Sequence, residues 1–481
     1  MQDQSHPYSE ICESLTRAGQ GQLAAYLQKL TPESAKAELA DEINRLDLTE
    51  LKDLADTYVK NYQSDSAPAS VMPALYYALN GDGPAGPWDS AKYREKGENL
   101  IRQGKVGCFT VAGGQGSRLG YDGPKGCYPT SCINEKPLFQ IFAETILKNQ
   151  QKYGCQIPWY IMTSPLNHDA TVSFFKSNSN FGLNGEQVMF FQQGVMPSLD
   201  ASTGDLLLRD ATHLATNPDG HGGSFKALHV SGALTHMLEH GIEHVSYFQV
   251  DNPHARIIDP VFLGLHAYAP DSSGEFSSKM VSKVSWDEKV GVFCKADGRT
   301  QVIEYSDLDE QLAKQTNANG NLSFNAGSIA IHAISVGFIQ RVIADSNASL
   351  PYHRASKKVP YFDPDANVLV QPESNNAVKL EKFVFDGIPI ADKSIVVETS
   401  RLEEFAPVKN ASGTDSIVSS KQLQTERAAV WLSANGVEVP RRADGSVDAV
   451  IEISPLTAVC PDDLASIDLP TTIPGGSTLV L

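Results

Sequence analysis

The sequence has few cysteines and none at a metal-binding spacing. Its seven cysteines are an odd number, and no two of them form a CxxC pair. This usage argues against a disulfide framework and against a cysteine-rich zinc site. We therefore expect the cysteines to be reduced, as they are in the cytosol.

Long apolar runs and basic runs are also absent. No stretch approaches the ~20 apolar residues of a membrane span, and residues 1–15 lack the basic and apolar regions of a signal peptide. The 39 Lys and Arg against 57 Asp and Glu give a formal net charge of −18. Because nucleic acid and anionic membranes are bound by positive surfaces, we expect a cytoplasmic protein that binds neither. The composition still allows the protein to bind a small anionic ligand in a locally basic pocket.

The 481 residues are 41% hydrophobic and 20% charged, as in ordinary globular proteins. We predict three parts: an N-terminal helical domain (1–98), a central domain (99–400) and a small C-terminal β-rich domain (401–481). In the first part, Asp47 followed by Glu50 resembles a helix capping box. Leu51 and Leu54 then begin the apolar stripe of an amphipathic helix.

The central part alternates short apolar runs with helical stretches. The runs at 106–112, 158–164, 188–193 and 244–250 predict buried strands. The alternation predicts an α/β fold with a mixed, mostly parallel sheet that is covered on both faces. Three later runs, within 278–306, follow one another with only turns between them, so we expect them to add antiparallel strands.

A glycine-rich turn follows the first of these strands. Residues 111–120 read VAGGQGSRLG, and PKG follows at 124–126. The turn is neither GxGxxG, because Leu119 stands where a glycine is needed, nor GxxxxGK[ST]. Glycines let the backbone approach a ligand, and successive N–H groups bind phosphate. Arg118 and Lys125 add two cations suited to phosphate oxygens; the alternative is a structural turn with two solvated cations.

These motifs resemble the eukaryotic-type UDP-N-acetylhexosamine pyrophosphorylases, a group of UTP-dependent sugar-1-phosphate uridylyltransferases. The resemblance continues in register from about residue 70 to 456. It includes FFQQGVMP, PDGHGG, VDN, VIEYSDL, FNAGSIA, EKFVFD and APVKN. It implies a Rossmann-like nucleotide-sugar transferase domain between a helical and a small C-terminal domain. It also implies that UTP and N-acetylglucosamine 1-phosphate give UDP-N-acetylglucosamine and pyrophosphate, with Mg²⁺ as cofactor.

The resemblance also assigns roles to individual residues. Catalysis would fall to Arg118, Lys125 and Lys409, and the Mg²⁺ carboxylate would be Asp251. The nucleotide would contact Ala112, Gly113, Gly114, Gln193 and Gly220. The sugar would contact His221, Asn252, Gly291, Glu304, Asn325 and Phe383.

Local sequence leaves some of these roles open. Asp251 at a strand end is also suited to capping the next turn, and Lys409 in a loop resembles an ordinary solvated lysine. His221 and Ser328 depart from the acetylhexosamine pattern, which usually has Asn at both places. These two positions bear on the identity of the sugar and not on the reaction.

The alternatives are a UDP-glucose- or UDP-galactose-type pyrophosphorylase, a glycosyltransferase that uses a UDP-sugar, and a non-catalytic UDP-sugar binder. We expect small-molecule substrates as partners, and a monomer or weak homo-oligomer.

Overall fold

The computed structural model describes residues 8–63, 70–345 and 349–481, so the first seven residues of the N-terminal stretch lie outside it. The α-helices are α1 (Ser9–Arg17), α2 (Gly21–Lys29), α3 (Glu33–Asn44), α4 (Leu48–Ala55), α5 (Ser90–Arg102), α6 (Leu138–Tyr153), α7 (His168–Ser177), α8 (Ser224–Val230), α9 (Ala233–Glu239), α10 (Pro260–Tyr268), α11 (Glu310–Lys314), α12 (Val336–Ala344), α13 (Arg401–Glu404) and α14 (Ile417–Ala434).

The strands are β1 (Val71–Pro73), β2 (Val106–Val111), β3 (Trp159–Thr163), β4 (Val188–Gln192), β5 (Val195–Pro197), β6 (Leu199–Asp200), β7 (Thr216–Pro218), β8 (His244–Gln249), β9 (Phe276–Ser282), β10 (Val292–Ala296), β11 (Arg299–Ile303), β12 (Ala326–Ser335), β13 (Tyr352–Lys357), β14 (Tyr361–Asp363), β15 (Val368–Val370), β16 (Ala377–Lys382), β17 (Val396–Glu398), β18 (Ala449–Glu452) and β19 (Ser477–Val480).

The described residues divide into two compact units. Unit 1 takes them from Met1–Ala67, Gly194–Gly223 and Leu350–Val384, and unit 2 from Pro68–Gln193, Ser224–Ser349 and Phe385–Leu481. Each unit therefore joins segments that are far apart in the sequence. The division into domains at residues 98 and 400 concerns continuous sequence, and it stays a prediction.

Unit 1 is built on the leucine faces of α1–α4. Leu15, Leu27 and Leu39 are buried in one apolar cluster with Leu206 and Leu380, which come from the other two segments. The strands of this unit form a three-stranded antiparallel sheet in the order β13-β16-β6, and two strand pairs, β5-β7 and β14-β15. The amphipathic helices thus bury their apolar faces against later parts of the chain.

At the N-terminus of α4, only half of the predicted capping box forms. The Asp47 carboxylate accepts from the backbone N–H groups of Thr49 and Glu50, as an N-cap does. The Glu50 carboxylate accepts instead from the hydroxyl of Tyr352, at 2.8 Å. Asp47 is therefore the predicted cap, while Glu50 ties the helix to β13 within unit 1.

Unit 2 contains one mixed sheet with the order β1-β10-β12-β8-β2-β3-β4. Strands β8, β2, β3 and β4 are parallel, with Val111 opposite both Gln249 and Met162. Strands β9, β10 and β11 pair with antiparallel neighbours, as expected from the sequence. The α/β fold class is confirmed.

Three of the four parallel strands, β2, β3 and β8, are almost fully buried, whereas β4 is buried only in part. All five residues of β3 are buried, and the helices α6, α7 and α10 belong to the same unit. A parallel strand covered on both faces reads as a continuous apolar run rather than an alternating one. The predicted strands therefore agree with the structure to within one residue at each end.

The C-terminal residues contain the parallel pair β18-β19 and the 18-residue helix α14. Buried Ala428, Leu432, Ile451 and Leu464 form their apolar cluster. The strands were expected, but the helix was not. Across the described part of the chain, no helix combines the length and apolar character needed to cross a membrane.

Candidate active site

The candidate site lies at one edge of the parallel strands of unit 2. Ala112 follows β2, Ser164 follows β3, Gln193 follows β4, and Asp251 lies two residues beyond β8. Parallel strands end at the same edge of a sheet, and neighbours are about 4.8 Å apart. The fold therefore places the glycine turn, Gln193 and Asp251 in one row. Open α/β sheets bind their ligands at this edge.

The glycine turn is held close to Gln193. A Cβ atom on residue 113 would lie 2.6 Å from Oε1 of Gln193, so only glycine leaves the amide its place. The Gln193 side chain is 8% exposed. Among the described residues its amide makes no hydrogen bond. A buried amide without a protein partner is suited to a ligand that both donates and accepts hydrogen bonds.

Asn167 braces the same turn and is a residue that sequence reasoning missed. Its amide donates to the carbonyl oxygens of Ala112 at 2.9 Å and Gly114 at 3.3 Å. Its Oδ1 accepts from the backbone N–H of Ser164 at 2.8 Å and from the Ser164 hydroxyl at 3.1 Å. This one side chain, 1% exposed, thus joins the ends of β2 and β3.

Two cations flank the turn. Arg118 is exposed and Lys125 is half-buried, and the backbone N–H of Lys125 donates to the Gly114 carbonyl at 3.0 Å. Within the described ranges, neither side chain forms a hydrogen bond or an ion pair. The turn therefore carries two positive charges that can bind an anionic ligand without breaking a contact within the protein.

Asp251 fits a magnesium site of the kind that uses few protein ligands. Its carboxylate is half-buried, and among the described residues it accepts no hydrogen bond and forms no ion pair. In the same part of the chain, no three His, Cys, Asp or Glu side chains cluster as a metal site. Mg²⁺ is commonly held by one or two carboxylates together with substrate phosphates and water. One unpaired carboxylate, at the same sheet edge as the turn that carries Arg118 and Lys125, fits that chemistry.

Lys409 lies next to Asp251 through the backbone. The N–H of Val408 donates to the Asp251 carbonyl at 2.8 Å. The Lys409 ammonium is 3.7 Å from the Asp415 carboxylate and 5.7 Å from the ring centre of Phe405. Its side chain is 39% exposed, so this ion pair is weak and reversible.

Three of the predicted sugar residues lie around β10 and β12. A Cβ atom on residue 291 would lie 3.6 Å from Oε1 of Glu304. The Gly291 carbonyl accepts from the N–H of Ser328 at 2.8 Å, and the Asn325 amide donates to the hydroxyl of Tyr76 at 3.4 Å. The fold thus brings these residues together, and Tyr76 is a neighbour that the sequence did not indicate.

Gly220, His221 and Phe383 belong to unit 1. Gly220 has a φ of +83°, and a Cβ there would lie 2.4 Å from the Lys382 carbonyl oxygen. The rings of His221 and Phe383 stack with centres 5.2 Å apart, and the ring of His353 stacks on Phe383 at 4.3 Å. Nδ1 of His221 accepts from the N–H of Val384 at 3.0 Å. The proton of the neutral ring is therefore on Nε2.

The environment of His221 favours this neutral form. Burial, together with the neighbouring His353, lowers the pKa of His221 to about 4 from its ordinary value of 6.5. Removing a charge from water is costly, so the imidazole is uncharged at neutral pH. His221 is thus an aromatic, neutral hydrogen-bonding group and not a cation.

Comparison with known proteins adds to this geometry. The family model described as UTP–glucose-1-phosphate uridylyltransferase matches residues 89–438, which include every predicted site residue. The chain belongs to this family.

The names of its relatives specify the sugar more narrowly than the family description does. The chain is 35% identical to the UDP-N-acetylhexosamine pyrophosphorylase-like protein 1 of Xenopus tropicalis, covering 95% of this chain and 94% of the relative. It is 33% identical to the UDP-N-acetylglucosamine pyrophosphorylase of Saccharomyces cerevisiae, covering 89% and 88%. The resemblance to the acetylhexosamine pyrophosphorylases is confirmed.

A solved structure supports the fold in the same way. The crystal structure of the uridine diphosphate N-acetylglucosamine pyrophosphorylase from Trypanosoma brucei, in complex with an inhibitor, aligns with a TM-score of 0.77 at 26% identity. The alignment covers 96% of this chain and 97% of that one. The fold class therefore agrees with a solved member of the group, while the role of each site residue stays a prediction.

Proposed function

We propose that the protein transfers the uridylyl group of UTP to N-acetylglucosamine 1-phosphate, giving UDP-N-acetylglucosamine and pyrophosphate. The observation that carries this proposal is the row at the sheet edge. A glycine turn lies against the Gln193 amide and carries the cations Arg118 and Lys125. The names of the relatives supply the substrates.

The uracil ring would lie against Ala112, Gly113 and Gly114. Uracil presents carbonyl acceptors beside an N–H donor, and the Gln193 amide offers one of each kind. Since Gly113 has no side chain, the ring can approach the backbone while Gln193 stays in place. Gly220 in unit 1 remains a further predicted nucleotide contact.

Chemistry at the α-phosphorus needs no enzyme nucleophile. An oxygen of the sugar phosphate forms a bond to the α-phosphorus of UTP as the bond to the bridging oxygen of pyrophosphate breaks. The attacking oxygen is already anionic, so no proton has to be removed. Arg118, Lys125 and Lys409 hold the anions in line and stabilise the charge that develops on the leaving group.

Asp251 would hold a Mg²⁺ ion. The bound ion would supply positive charge to the phosphates. The backbone positions Asp251 and Lys409. Asp251 follows β8, and the hydrogen bond from the Val408 N–H to the Asp251 carbonyl holds Lys409 nearby. Because the chain has a net charge of −18, its site needs local positive charge to bind two polyanionic substrates.

The sugar would be bound by Gly291, Glu304 and Asn325, with Glu304 accepting from hydroxyl groups. His221 and Phe383 would contribute aromatic surface. The departures at His221 and Ser328 bear on which sugar is bound. The test therefore includes glucose 1-phosphate, the substrate of a UDP-glucose-forming enzyme.

The test is a Mg²⁺-dependent pyrophosphate-release assay with UTP and three sugar 1-phosphates: N-acetylglucosamine, N-acetylgalactosamine and glucose. We expect the highest kcat/KM with N-acetylglucosamine 1-phosphate. A higher value with glucose 1-phosphate would overturn the acetylhexosamine assignment and implicate His221. UDP-sugar binding without pyrophosphate release would support a non-catalytic binder or a glycosyltransferase instead.

The cellular setting belongs to the same proposal. The cysteines, which form no disulfide framework or CxxC pair, support a cytoplasmic protein. We also propose that it acts as a monomer or weak homo-oligomer. Fractionation of cells and light scattering at micromolar concentration test these two statements. A stable oligomer or a membrane-bound fraction would contradict them.

A further inference from the structure

The Asn252 side chain is almost fully occupied by the protein. Its amide donates to the Glu404 carbonyl at 2.7 Å, and its Oδ1 accepts from the N–H groups of Ala406 at 3.1 Å and His254 at 3.2 Å. The side chain is 4% exposed. Both lone pairs of the oxygen are used, and one N–H of the amide remains. Little hydrogen-bonding capacity is left for a sugar.

Two of the three partners of Asn252, Glu404 and Ala406, lie on one short segment, Glu404–Val408, which leads directly to Lys409. Glu404 is fixed at one end, since its carboxylate accepts from the buried ammonium of Lys279 at 2.6 Å. Val408 is fixed at the other end by its bond to the Asp251 carbonyl. Asn252 holds the middle, because it bonds the backbone of both Glu404 and Ala406.

A second contact holds the same segment from the opposite side. The hydroxyl of Ser420, on α14, donates to the Ala406 carbonyl at 2.8 Å, and Ser420 is fully buried. The segment is therefore bonded both to the end of β8 and to α14. Asp251 and Lys409 are the residues through which this hydrogen-bonded segment is connected to the candidate site.

We propose that Asn252 is a positioning residue that keeps Lys409 in register with Asp251, and that it acts through them rather than by contacting the sugar. The inference rests on the proposed function, in which these two groups face the phosphates. Displacing a reacting or binding group by 1 Å costs about 10²-fold in rate. A buried amide that positions such a group can therefore affect the rate to this extent without contacting a substrate.

The first test is the kinetics of Asn252→Ala and Asn252→Asp with UTP and N-acetylglucosamine 1-phosphate. The alanine variant loses all three bonds, whereas the aspartate variant keeps the two acceptor contacts and sets a carboxylate oxygen against the Glu404 carbonyl. We expect kcat to fall about 10²-fold in the first and to fall in the second as well, because the two oxygens repel each other. The KM for the sugar phosphate should change less than about twofold. A raised KM with an unchanged kcat would show sugar contact and overturn the proposal.

Two further variants separate positioning from loss of structure. Ser420→Ala loosens the segment without altering residue 252, so we expect kcat to fall roughly 3–10-fold. Asn376→Ala removes a comparable amide bridge, to the N–H and carbonyl of Val359 in unit 1, and should leave kcat unchanged. An unchanged kcat in Ser420→Ala would contradict the positioning role even if Asn252→Ala failed to fold.

A double-variant cycle asks whether Asn252 acts through Lys409. In a Lys409→Ala background, Asn252→Ala should lower kcat by much less than it does alone, because the group it positions is gone. Full additivity would overturn the coupling. Wild-type activity in the same assay tests the proposed function separately: an inactive wild type overturns both proposals, whereas an active one with unaffected variants overturns only this one.

Discussion

At the scale of single residues, the candidate site depends on side chains that the rest of the protein leaves unoccupied. Within the described chain, Arg118, Lys125, Asp251 and the Gln193 amide form no side-chain hydrogen bond or ion pair. Other charged groups of unit 2, such as Lys279 with Asp259 and Glu404, are paired inside the protein. The unoccupied groups are therefore the ones available to a ligand.

Substituting Arg118 should affect turnover and not folding. Arg118→Ala removes an exposed side chain without a protein partner, so the melting temperature should stay the same. We expect turnover at saturating UTP to fall about 10²-fold, or ~3 kcal/mol, because one charge on the phosphates is lost. Pyrophosphate release measures this. Arg209→Ala, an exposed arginine of unit 1, is the matched control, and equal activity in both variants would remove Arg118 from the mechanism.

The sequence predicted some of these residues and not others for a physical reason. Arg118 and Lys125 stand inside a glycine turn, where local composition alone indicates phosphate binding. Asn167 and Tyr76 have no such signal, because an asparagine or tyrosine is found in many loops. Only the fold brings the amide of Asn167 within 2.9 Å of the Ala112 carbonyl.

At the scale of elements, the site is a consequence of strand order. Strands β8, β2, β3 and β4 lie side by side and point the same way, so their following residues meet at one edge. Their apolar runs predicted each strand well, and in β2, β3 and β8 the run reflects burial on both faces. The order of the strands had no local signal, and neither did the helix α14, whose apolar residues show little one-sided stripe.

The brace between β2 and β3 gives a prediction at this scale. Asn167→Ala leaves the Ala112 carbonyl without a donor and the Gly114 carbonyl with only the N–H of Lys125, which costs about 1–3 kcal/mol of stability. The turn should also become less ordered, so the KM for UTP should rise by roughly tenfold. Thermal unfolding and UTP saturation kinetics measure the two effects.

The control for this brace is on the same helix, α7. Asn178→Ala removes an exposed amide that donates to the Phe174 carbonyl at 2.8 Å and lies away from the turn. It should leave the KM for UTP unchanged. If both variants raised that KM equally, the effect would come from α7 in general and not from the brace.

At the scale of the whole molecule, the net charge of −18 repels the polyanions that the site is proposed to bind. The local cations and a metal at Asp251 would have to reverse this field. We expect calorimetry to give UTP a much weaker affinity in EDTA than in Mg²⁺. Asp251→Asn should reduce the gain from Mg²⁺. Equal affinity in EDTA and Mg²⁺ would contradict the metal assignment.

Buried histidines give the molecule a predictable response to acid. Burial lowers the pKa of His221 and of His244 to about 4, from 6.5. Between these values the unfolded chain binds more protons than the folded one, so stability should be full above pH 6.5 and fall as the pH drops toward 4. Melting temperatures across this range measure the effect.

A variant assigns part of that response to one ring. His221→Asn should melt with a shallower dependence on pH, since one group that resists protonation is gone. The exposed His229→Asn is the control and should follow the wild type. An unchanged slope in His221→Asn would mean that folding does not lower the pKa of this ring.

The composition of unit 1 has a consequence for synthesis of the chain. Its helices come from the first segment, but the residues that cover their leucine faces end at Val384. At about 5–20 residues per second, roughly 300 further residues must be translated first, a delay on the order of half a minute. During that time the helices can pack on one another and, once it is made, on the segment 194–223, but Val378 and Leu380 of β16 are still missing from their apolar cluster. The nascent chain is then exposed to proteases and to chaperones that bind apolar segments, and fragments that stop before Val384 should depend on them most.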